Sequence, residues 1–97
     1  MSEPEDLKEE VVKDDRQRIR ELRHLRGEKL EGEYVSYFSN GQVKTETTYA
    51  GNVVNGAFKE YDEEGRLRVS GQYENGIKEG TWFSYDVSGK IVSKEKY

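Results

Sequence analysis

The chain has no cysteine, one proline (Pro4) and one histidine (His24) in 97 residues. Without cysteine there is no disulfide framework, no thiolate metal site and no cysteine nucleophile. One histidine makes no metal cluster, and His24 has no serine or carboxylate at a spacing that suggests a catalytic triad. Excess positive charge is also missing. Lys and Arg number 16 against 20 Asp and Glu, a net charge of -4. That balance opposes general binding to nucleic acid or anionic membranes, which need concentrated positive charge. No apolar run approaches the roughly 18 residues of a membrane span. The opening "MSEPEDLKEEVV" lacks the basic-then-apolar pattern of a secretory signal. The expectation is a soluble, cytoplasmic, single-domain protein without catalytic, cofactor or metal residues. Its partner would be a protein and not nucleic acid, with a membrane ranked behind a protein.

Apolar residues are scarce at 32%, against 37% charged, and 11% of the chain is aromatic, including seven tyrosines. Tyrosine covers area while leaving a hydroxyl for water or backbone, which suits a half-exposed sheet. From Gly32 onward each segment resembles the one 24 residues later: "GEYVSYFSNGQVKTETTYAGNVVN", "GAFKEYDEEGRLRVSGQYENGIKE" and "GTWFSYDVSGKIVSKEKY". Six registers align without a gap. They are Gly32, Gly56 and Gly80; Tyr34, Phe58 and Trp82; Tyr37, Tyr61 and Tyr85; Gly41, Gly65 and Gly89; Val43, Leu67 and Ile91; Tyr49, Tyr73 and Tyr97. Such a period marks a repeat architecture.

Each unit reads as a β-hairpin. An aromatic run meets a three-residue turn whose last position is always glycine, as a type I turn closed by a left-handed residue requires. A second strand then alternates, with Val43, Thr45, Thr47 and Tyr49 on one face and Lys44, Glu46 and Thr48 on the other. The first strand holds aromatics two and five positions after its opening glycine, which is not period two. Either a bulge brings both to one side, or one register faces each way.

Before the repeats, Val12, Ile19, Leu22 and Leu25 form a narrow stripe at helical spacing, with acids ahead of Asp15 and arginines after it. That charge order suits a helix dipole, and Gly27 is a natural stop. The pattern predicts an amphipathic helix from about Asp6 to Arg26, within an N-terminal segment 1–26. Its stripe either folds back over the apolar face of the sheet or projects to pair in a dimer or dock into a partner groove. Its basic half is opposed by an equally acidic first half, which argues against nucleic acid.

The grammar of glycine, aromatic, tyrosine, turn glycine and closing Tyr-x-Asn-Gly resembles that of MORN-type repeats. It is most similar to the bacterial MORN-variant repeats found in YwqK-type antitoxin proteins. "GEYVSYFSNGQV", "GAFKEYDEEGRL", "YENGIKEGTW" and "FSYDVSGKI" carry the resemblance. Within residues 27–97 it gives repeats 32–55, 56–79 and 80–97, with 25–31 as the tail of a decayed unit. There Leu25 stands in the Tyr49 register and Gly27 in the Gly51 register. The resemblance implies a mainly β fold, a single-layer antiparallel sheet of three successive hairpins preceded by the helix, with no catalytic apparatus. The antitoxin label implies binding and masking of a toxin. Two departures stand out. Gly51-Asn52 replaces the order seen in Asn75-Gly76, and repeat one carries Phe38 and Val53-Val54 where repeat two has Asp62 and Ile77-Lys78.

The aromatic files read as structural ladders, each cross-strand pair contributing roughly 0.2–1 kcal/mol, before they read as stacking platforms for bases or sugars. The glycines of "ENGIKEGTW" lie between strands, not between a strand and a helix as in a phosphate loop. Asp62-Glu63-Glu64 reads as a solvated turn. Expected partner contacts are Phe38, Val53, Val54, Tyr37, Tyr61 and Tyr85. The leading reading is an antitoxin or immunity-type protein with a toxin or similar partner, and the acidic balance would suit a basic one. The alternatives are a scaffold that self-associates through the helix or sheet edges, and a binder of anionic lipid headgroups.

Overall fold

The computed structural model describes residues 6–97. Nine strands form one antiparallel sheet: β1 (Leu7–Lys13), β2 (Ile19–Arg26), β3 (Lys29–Tyr37), β4 (Val43–Ala50), β5 (Val53–Val54), β6 (Gly56–Tyr61), β7 (Leu67–Glu74), β8 (Ile77–Tyr85) and β9 (Ile91–Lys96). They lie in chain order from β1 to β9, with the short β5 paired onto β4. Contacts between elements are almost wholly those of neighbouring strands. The molecule measures 53 × 36 × 14 Å, one sheet thick.

The described residues contain no helix, which corrects the expectation for Asp6 to Arg26; residues 1–5 of the expected segment lie outside the description. The stretch is a fourth hairpin, the complete form of the unit whose tail was legible at 25–31. Asp14 stands 24 residues before Phe38 and 48 before Asp62, and it builds the same turn as Asp62. The Asp14 amide donates to Arg18 O and the Gln17 amide to Asp14 O, as Asp62 and Gly65 do with Arg66 and Asp62. Gln17 has φ of 65°, in the position that glycine holds at 41, 65 and 89.

Charges segregated along the sequence become charges opposed across strands. Glu10 of β1 faces Arg23 of β2 and Glu9 faces His24, with the Arg23 guanidinium hydrogen-bonded to Glu10. A lone helix with so thin a stripe would bury little, whereas two strands satisfy the open N–H and C=O row of β3. Tertiary context therefore overrides local pattern. Among the described residues no other element covers either sheet face, so the packing described is confined to side chains within each face.

That packing is thin. Among the described residues only Val35, Trp82 and Thr47 are buried. Val35 lies between Leu22 and Glu46 on one face, while Trp82 and Thr47 belong to the other. The upper turns are alike despite their swapped order. Gly51 and Asn52 have φ of 55° and 72°, and Asn75 and Gly76 have 49° and 83°. Asparagine tolerates the left-handed region well enough to trade places with glycine.

Candidate interaction surface

Every hairpin carries a register shift where its first strand ends, between Ser36 and Tyr37, Glu60 and Tyr61, and Ser84 and Tyr85. The shift in the first hairpin lies between Val12 and Lys13. The unpaired residue lies on the returning strand: Arg20, Lys44, Arg68 or Val92. A bulged residue is free to aim its side chain elsewhere. Arg20 Nε donates to Tyr37 O, and Arg68 Nε donates to Tyr85 O at 2.8 Å. The same two guanidiniums reach Asp14 and Asp62, so each arginine ties its own turn to the next hairpin.

The carboxylates of Asp14, Asp62 and Asp86 accept amides two and four residues on. Partial burial acts to raise the Asp14 pKa. The Arg18 and Arg16 amides and the Arg18 guanidinium outweigh it and hold the carboxyl at about 2. Asp62 is lowered by the Arg66 amide and side chain, and Asp86 by the Ser88 hydroxyl and the Lys90 amide.

The two aromatic registers of the first strand face opposite ways. The Tyr85 hydroxyl lies 3.0 Å from Ser70 Oγ and its ring 6.5 Å from that of Phe83. Tyr61 bonds Glu46, and burial together with that carboxylate pushes its phenol up to about 12. Tyr37 stands in the same file, with Phe38 beside it at the lower turn, 5.7 Å beneath the Lys44 ammonium. Val53 and Val54 sit at the upper turn, paired with Ala50 and Tyr49. The length of β4 separates them from Phe38 by roughly 25 Å, at ~3.3 Å per residue. The structure thus gathers Tyr37, Tyr61, Tyr85 and Phe38 toward the lower half of the sheet and leaves Val53 and Val54 apart.

The opposite face carries what the residue patterns had assigned to ladders alone. Tyr34 meets Tyr49 edge-on, and its phenol is hydrogen-bonded to Glu21; burial and that carboxylate push its pKa up. In the last two hairpins the files interlock. Phe58 stacks on Trp82 at 5.5 Å, and Trp82 meets Tyr73 and Tyr97 edge-on at 5.0 and 6.3 Å. The indole fits because β7 has Gly71 beneath it. A β-carbon there would lie 2.1 Å from Trp82 Cδ2. Thr47 holds the equivalent place under Phe58 and donates to Ala57 O. Trp82 Nε1 donates to Gln72 O at 3.2 Å.

Lys78 lies over this cluster, its Nζ 4.7 Å from the Trp82 ring and 5.2 Å from the Tyr97 ring. The rings border a shallow cleft of about 350 Å³ that Glu60 and Glu95 also line. The signal that could have found it was the pairing of Lys78 with Tyr73, in the register that Val54 holds opposite Tyr49. Among the described residues no group of three or more His, Asp or Glu could hold a metal ion.

A single layer of successive hairpins, with turns, bulges and rings in a 24-residue register, defines a β-hairpin repeat protein. The chain belongs to the MORN repeat variant family, whose model matches residues 30–50, 54–75 and 78–97. The hairpin of β1 and β2 lies wholly outside the matched residues and is a repeat by structure. Comparison with curated proteins and with solved structures gives no match.

Proposed function

We propose that this chain is a non-enzymatic protein-interaction module, and within that class a bacterial antitoxin or immunity-type protein that masks a toxin. The observation that carries the reading is the uncovered sheet, whose two broad faces both display tyrosines and other rings. Such rings supply large contact area with a polar handle and are enriched at interfaces. The net charge of -4 suits steering toward a basic partner. Contact would fall on Tyr37, Tyr61, Tyr85 and Phe38, with Val53 and Val54 reached only by a partner that spans the hairpin.

Affinity purification from the native cell, with mass spectrometry of what co-elutes, tests this. One stoichiometric protein partner is expected; recovery of the bait alone argues against it. Phe38→Ala combined with Val54→Asp is expected to weaken that complex at least tenfold. Unchanged affinity removes the placement.

The open edges favour a second reading, a self-associating scaffold. Among the described residues β1 and β9 are each paired on one side alone, and Ile91 and Val92 are 44% and 62% exposed. A sharp monomer in light scattering across a wide concentration range would remove it.

A further inference from the structure

We propose that the cleft bounded by Phe58, Tyr73, Trp82 and Tyr97 is a binding site for a cationic side chain of a protein partner, above all arginine, which takes the seat that Lys78 occupies in the free chain. The inference rests on the protein-interaction reading and adds to it a place and a ligand chemistry.

Three observations carry it. First, the rings already hold a cation. The Lys78 ammonium lies over two ring faces at distances where the ring quadrupole attracts positive charge. Secondly, the seat is a fixed feature of the repeat and its tenant is not. The position of Lys78 is that of Val54 one unit earlier, paired with Tyr49 as Lys78 is with Tyr73. Valine stands at that register in the first, and an exposed lysine in the last. Lys78 gives up nothing irreplaceable on leaving, because among the described residues its ammonium makes cation–π contacts and no ion pair. Thirdly, the rim is acidic. Glu60 and Glu95 border the cleft, and neither forms an ion pair among the described residues. Tyr97 Oη donates to Glu95 Oε2 at 2.8 Å and fixes that carboxylate at the rim. A guanidinium arriving from solution would stack on the indole and phenol and gain a carboxylate that Lys78 does not use. A planar guanidinium does both better than an ammonium.

Trp82 is the only tryptophan, so its fluorescence reports on the site directly. The probe is a short Gly/Ser peptide with one central arginine, titrated beside the same peptide carrying citrulline, which keeps the shape and loses the charge. The arginine peptide is expected to give a saturable change and to bind at least about threefold tighter than citrulline. Lys78→Ala, which vacates the seat, is expected to tighten arginine binding about threefold or more. Tyr97→Ala, at a residue 53% exposed, is expected to weaken it by a similar factor, with the far-UV circular dichroism spectrum checking that the sheet is retained. Absence of a saturable change, equal binding of both peptides, or indifference to Lys78→Ala would each overturn the proposal. The co-eluting partner separates the two readings. If its affinity is unmoved by Lys78→Ala and Tyr97→Ala, the cleft proposal fails while the interaction module stands. If the arginine peptide binds as expected and no partner co-elutes, the reverse holds.

Discussion

At the scale of the residue, two side-chain relations dominate. One is Gly71 under Trp82. Its backbone is of an ordinary kind, so the requirement for glycine there is purely steric: the indole occupies the space of a β-carbon. Gly71→Ala is expected to cost about 1–3 kcal/mol by overpacking, measured by urea denaturation. The same change in a Trp82→Leu background is expected to cost much less, and equal costs in both backgrounds would show that the ring is not the cause. The other relation is the turn carboxylate. Asp14, Asp62 and Asp86 bind their protons less tightly in the folded chain than in the unfolded one. The stability they supply is therefore complete above the unfolded carboxyl pKa of about 3.9. It is lost as the pH falls through the folded values, about 2 for Asp14. The urea midpoint is expected to fall across that window, and less steeply in Asp62→Asn.

At the scale of the element, the four hairpins differ in how openly they declare themselves. Three were legible because glycine and aromatic positions survive in six registers. The first was not, because Glu10, Lys13, Gln17 and Leu25 stand where the others have rings, a turn glycine and a closing tyrosine. What survives there is Asp14 with Arg18, Ile19 in the register of Val43, and the glycine at 27, while Val12, Leu22 and Leu25 fall by coincidence at helical steps from Ile19. Which way each ring faces was equally hidden, since the bulged residue lies on the partner strand and leaves the alternation of the first strand intact. Of the expected contact residues, the tyrosine file was recognisable as a unit, but the distance from Phe38 to Val54 appears only once the hairpin is built. Gln17, left-handed without being glycine, marks the cost of this divergence. Gln17→Gly is expected to stabilise the chain by roughly 0.5–1 kcal/mol, the relief of a left-handed side chain less the added chain entropy. Thermal melting checks it; a loss of stability would mean that the first turn is not formed as described.

At the scale of the whole molecule, contacts among the described hairpins are almost wholly those with the next, so the sheet behaves as a one-dimensional array. Removing residues 56–79 as one piece joins Asn55 to Gly80, a junction chemically equivalent to Asn55–Gly56. The shortened chain is expected to fold, losing two strands, about 10 Å at ~4.8 Å each, from the sheet's width in small-angle scattering. Failure to fold would show that the units depend on more than their neighbours. The 14 Å thickness has a further effect. A layer wetted on both sides uncovers little oily surface when it melts, so its unfolding heat capacity should fall below the usual ~12–15 cal/mol/K per residue. Its stability would then vary gently with temperature, so the sheet would stay folded over a broad span of cold and warm conditions.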